Sequence, residues 1–88
     1  MLTTVELLNR VKATYGLESD YSLAKKLAIT PQAVSKYMKK RSFLDDRVSF
    51  IVADLLELNP AYVVACANME RAEKKEDKNG VSFWMRYA

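Results

Sequence analysis

A proline stands at residue 31, directly after Thr30, inside twenty residues that otherwise carry helical periodicity, Asp20 to Lys39. Proline breaks a helix interior but suits its first position. Its fixed φ fits there, and the N–H it lacks would have had no intrahelical partner. Thr30 supplies a side-chain oxygen as N-cap. The stretch DYSLAKKLAITPQAVSKYMK therefore reads as two short helices and a tight turn. Leu23, Ala24 and Leu27 share one face of the first, with Asp20 as its expected cap, and Val34, Tyr37 and Met38 repeat the spacing on the second. Between them Ala28-Ile29-Thr30 is too short for anything but a sharp bend, with Ile29 as an apolar plug.

The second helix has an outer face of a different kind. Gln32, Ser35, Lys36 and Lys39 lie at i, i+3, i+4 and i+7, opposite Val34 and Tyr37. Gln forms a bidentate pair with adenine, Lys reaches guanine O6 and N7, and Ser bonds a base or a phosphate. The plainer reading is a polar face that meets only water. Lys39, Lys40 and Arg41 follow as a basic loop, either a solvated charge run or a set of phosphate contacts, which fix register without reading sequence.

This stretch resembles the helix-turn-helix of the lambda-repressor/Cro-like family. Ala24 matches the small residue that lets the second helix cross the first closely. Leu23, Leu27, Ile29, Val34 and Tyr37 fall on the family's buried positions, and Thr30 to Tyr37 looks like its recognition helix. The match is tight over about 20 residues and loose over roughly the first 60 to 65. The family usually has Gly in the turn; here it is Ala28, which costs about 1 kcal/mol relative to Gly if the backbone is left-handed. The resemblance implies base reading by Gln32, Ser35 and Lys36. Phosphate contacts are expected from Tyr21, Ser22, Lys25, Thr30, Lys39, Lys40 and Arg41. The first of these rest on helix N-termini, whose N–H groups favour anions.

The charge distribution agrees with a polyanion partner. Residues 1–44 carry eight basic and three acidic side chains, a net of +5; residues 45–88 carry six basic and eight acidic, a net of −2. Positive charge gathers around the paired helices.

The flanking sequence supplies further helices. Thr3 and Glu6 form a capping-box pattern, Val5, Leu8, Val11 and Tyr15 a stripe widened by Leu7, and Gly16 a stop. Asp45 and Asp46 open a fourth helix with Val48, Ile51, Val52, Leu55 and Leu56 on one face. Asn59-Pro60 opens a fifth, apolar at Tyr62, Val63, Cys66, Ala67 and Met69. It is expected to continue through the alternating charges of residues 70–78, with Glu70 and Lys74 as an i,i+4 pair, until Asn79-Gly80 breaks it. Phe83, Trp84 and Tyr87 are spaced for one face of a short helix, with a strand as the alternative. That aromatic tail covers the core, makes a dimer contact, or does both in a symmetric dimer.

Several classes are disfavoured. The chain of 88 residues suffices for one small domain. It has no histidine, the usual general base and common zinc ligand, and a single cysteine, so neither a zinc knuckle nor an intrachain disulfide is expected. Gly16 and Gly80 are too far apart for a phosphate-cradling loop, and Asp45-Asp46 is explained by helix capping. No enzyme activity, cofactor or metal is expected. The longest apolar run, Ala61 to Ala67, is far short of the about 18 residues of a membrane span, and no secretory signal pattern is present. A cytoplasmic location is the expectation.

The sequence thus predicts an all-α chain: a lambda-repressor-like five-helix domain over residues 1–78 and a C-terminal aromatic helix or arm over 79–88. The function implied by the resemblance is that of a homodimeric transcriptional regulator on double-stranded DNA, a repressor of phage or mobile-element type. The alternative is a protein-interaction module, or an antitoxin-like partner protein, on the same fold.

Overall fold

Every helix in the computed structural model, which describes all 88 residues, starts on a side-chain cap. The chain forms six helices and no strand: α1 Thr4–Tyr15, α2 Asp20–Leu27, α3 Pro31–Met38, α4 Asp46–Leu56, α5 Pro60–Lys74 and α6 Lys78–Met85. The capping box at Thr3 is formed, with Glu6 N–H donating to Thr3 Oγ1 at 3.2 Å and Thr3 N–H to Glu6 Oε1 at 3.2 Å. Thr30, Asp45 and Asn59 cap α3, α4 and α5 as their sequence positions predict. The cap of α2 differs. Ser19, not Asp20, takes that place, in a reciprocal box with Ser22. Asp20 is free to pair with Lys12 Nζ at 3.0 Å, which ties α2 to α1.

The helix ends share one device. After α1 to α5 the chain turns through a left-handed residue: Gly16 at φ 64°, Ala28 at 57°, Lys40 at 59°, Glu57 at 56° and Glu76 at 57°. At each, the next N–H reaches back to the carbonyl five residues before it, as Ile29 does to Ala24 at 3.0 Å and Arg41 to Lys36 at 2.9 Å. Only the first of the five is glycine, so four of these ends carry no glycine signal in the sequence.

That device corrects the expected course of α5. The helix does not run on to Asn79-Gly80. It ends at Lys74, turns through Glu76, and Asp77 caps α6 by accepting the Gly80 N–H at 3.0 Å. Asn79-Gly80 lies in the first turn of α6. A Cβ on Gly80 would stand 3.1 Å from Ala72 Cβ, so glycine permits α6 to lie close on α5. The aromatic tail is thus helical, and α5 is its packing partner.

The core is one cluster drawn from α1 to α5: Leu7, Leu8 and Val11 with Leu23, Ala24, Leu27, Val34, Tyr37, Val48, Val52, Val63 and Cys66 among its members. α4 packs against α1, α2 and α5 and closes it from one side. Leu44, in the link before α4, is also fully buried, a position without helical periodicity to announce it. Tyr15, expected on the buried stripe of α1, lies at the margin, its hydroxyl donating to Leu55 O at 2.6 Å. No helix is long and apolar enough to cross a membrane.

The charged end of α5 is not a purely solvated surface. Glu70 does not pair with Lys74. Its Oε1 accepts the N–H and the hydroxyl of Thr4, each at 2.7 Å. An anion at a helix N-terminus, taking two hydrogen bonds, outweighs an exposed i,i+4 pair worth a few tenths of a kcal/mol. Arg71 donates to Phe43 O at 2.9 Å and Leu44 O at 2.6 Å, and Lys74 turns to Lys40 O at 3.4 Å.

Candidate nucleic-acid interface

α2 and α3 pack against each other across the turn Ala28-Ile29-Thr30, with Ala24 buried in the core and Ile29 half-buried against it. Ala28 is left-handed, at φ 57° and ψ 42°, so the strain foreseen for a non-glycine turn is present. The inner face of α3 is locked: Val34 is fully buried and Tyr37 nearly so. Burial, with the Asp45 carboxylate second, pushes the Tyr37 phenol above its ordinary value, so it is neutral at physiological pH.

The outer face of α3 is open. Gln32, Lys36 and Lys39 are exposed, Ser35 is half-buried, and none of their side chains makes a hydrogen bond or ion pair within the protein. Four side chains with amide, hydroxyl and ammonium chemistry thus point from one face with all their hydrogen-bonding capacity unspent. The helix end turns the cations that follow. Lys39 is its C-cap, Lys40 takes the left-handed position and Arg41 donates its N–H to Lys36 O. Cations at this place are favoured by the negative end of the helix.

The other expected contacts are less uniform. Tyr21 is 62% exposed at the start of α2, with Lys25 Nζ 5.4 Å from its ring centre. Thr30 accepts the Ala33 N–H at 3.1 Å through its hydroxyl oxygen, which leaves the hydroxyl proton to donate. Ser22 is already engaged: its N–H donates to Ser19 Oγ at 3.1 Å and its hydroxyl to Ser19 O at 3.0 Å. A phosphate there has only the neighbouring N–H groups to meet.

Arg47 was not foreseen. Its guanidinium reaches Ala28 O at 3.5 Å and adds a cation beside the turn. In the sequence it is masked by Asp45 and Asp46, which serve the α4 N-terminus. At the far end of the chain Phe83, Trp84 and Tyr87 cluster, Phe83 and Trp84 edge to face at 5.0 Å and Phe83 and Tyr87 at 5.6 Å. α6 buries no residue of its own, and Phe83, Met85 and Tyr87 are exposed. Comparison with protein-family models, curated proteins and solved structures finds no match for this chain.

Proposed function

We propose that this chain is a sequence-specific regulator of the lambda-repressor/Cro-like type, which inserts α3 into the major groove of double-stranded DNA. The observation that carries the reading is the division of α3 into a locked apolar face and an unengaged polar one, beside Lys39, Lys40 and Arg41. Gln32, Ser35 and Lys36 read base edges; the flanking cations, with Tyr21, Lys25 and Thr30, hold the phosphates. Ser22 contributes only its place in the α2 cap. Repression follows from occluding a promoter.

The exposed aromatic face of α6 supports a homodimer. Two copies joined there read half-sites about 34 Å apart on one face of the duplex. The same face also favours a second reading, a protein-interaction module with no specific DNA site. Selection from random duplexes, with light scattering alongside, separates the two. A palindromic winner whose affinity falls steeply with salt supports the regulator. Absence of binding to any duplex rejects it in favour of a protein partner.

A further inference from the structure

The end of α5 and the link after α3 enclose a groove of about 530 Å³ lined by Arg41, Ser42, Phe43, Arg71, Lys74 and Lys75. Four of the six are cations and none is a carboxylate. Of the acidic residues of α5 and its end, Glu73, Glu76 and Asp77 line a separate hollow at the α5–α6 junction, and Glu70 is turned to Thr4. The single ion pair of the protein is Lys12–Asp20, so no carboxylate is paired with a cation of the groove.

Its two walls are tied together. Arg71 donates to Phe43 O and Leu44 O, and its other nitrogen to Asn68 Oδ1 at 3.3 Å. Lys74 Nζ donates to Lys40 O and stands 5.7 Å from the Phe43 ring centre. The ammonium is thereby held on the wall. Arg41 and Lys75 make no side-chain bond and project freely. Through Lys40 and Arg41 the groove continues directly from the C-terminal end of α3.

We infer that this groove is a second phosphate-binding surface, which seats the sugar-phosphate backbone of the duplex beside the segment read by α3. A row of four cations, Arg71 and Lys74 fixed by backbone carbonyls and Arg41 and Lys75 free to reach out, continues from a helix placed in the major groove and matches a strand of regularly spaced anions. Lys74 and Lys75 thereby belong to the DNA footprint although 35 residues separate Lys39 from Lys74. The inference rests on the regulator reading above.

The test is fluorescence anisotropy on the selected duplex and on a scrambled one, across salt, with Lys74→Gln/Lys75→Gln, Lys75→Gln alone and Lys78→Gln. Each phosphate contact contributes about 0.9 to the log–log salt slope, so the double variant is expected to lose about 1.8. Its affinity deficit then shrinks about 12-fold between about 50 and about 200 mM salt, equally on both duplexes. Lys78, on the acidic side, keeps the parental slope. Should the double variant melt early, Lys75→Gln, which breaks no contact, decides by a loss of about 0.9. An unchanged slope overturns the groove while leaving the α3 reading intact, and an equal loss in Lys78→Gln shows mere net charge and overturns it too. A parent chain that binds no duplex overturns both.

Discussion

Glu70 Oε1 holds the backbone N–H and the hydroxyl of Thr4, 66 residues away in sequence, at 2.7 Å each. One carboxylate thus closes the first turn of α1 from the far side of the protein. Thr4 Oγ1 in turn receives the Leu44 N–H at 3.4 Å, so α1, α5 and the link after α3 meet at one buried threonine.

Glu70→Ala leaves that donor pair without its acceptor in a largely dry site. Charge-assisted hydrogen bonds of this kind are worth about 1.5–3 kcal/mol. Urea denaturation is expected to show a loss in that range, with Glu70→Gln losing less. A change below about 0.5 kcal/mol, the level of ordinary surface substitutions, rejects the role.

Ala28 carries a Cβ in a left-handed turn whose N–H groups are already satisfied by Ala24 and Lys25 carbonyls. Ala28→Gly relieves that strain and is expected to stabilise the protein by about 1 kcal/mol. Thermal melting checks it, and duplex selection should return the same preferred site.

Gln32→Ala and Lys36→Ala remove two unengaged groups from the outer face of α3. Each is expected to relax base preference at one position and to weaken the preferred site by about 1–3 kcal/mol. Binding assays against single-base variants of the site measure this. Identical preferences in parent and both variants show that another surface reads the DNA.

Burial pushes the Cys66 thiol above its ordinary value of 9.0, and Tyr37 above 10.0. Between ordinary and folded values, the unfolded chain releases protons that the folded chain retains. The contribution of these two groups is therefore fully present below about pH 9 and is lost as pH rises through the folded values. Urea titrations at pH 8 and above 10 should show the decline, and Tyr37→Phe should flatten its upper part. At pH 8 Cys66 should react with a thiol reagent only at the rate of unfolding, since it is 1% exposed.

Phe83 and Tyr87 are 46% and 51% exposed and lie outside the main core cluster, so Phe83→Ser/Tyr87→Ser leaves that core intact. If α6 joins two copies, light scattering should show half the parental mass with nearly unchanged secondary structure. Retention of the parental mass excludes this face as the dimer contact.

Sequence alone determined where four of the six helices begin, α1, α3, α4 and α5. Thr3, Thr30, Asp45 and Asn59 act on N–H groups within three residues, and Pro31 and Pro60 fix their own φ, so these signals need nothing from the rest of the chain. It also determined the two faces of α3, because Val34 and Tyr37 are spaced by helical geometry alone. Tertiary structure decided where α5 ends, because a left-handed Glu76 leaves no mark that glycine would leave. It decided as well that Leu44 is buried, that Glu70 serves α1, and that Lys74 lies against Phe43 rather than in open water. Caps and periodicity are local interactions, whereas a charge 30 to 66 residues from its partner is positioned only after the core has drawn the helices together.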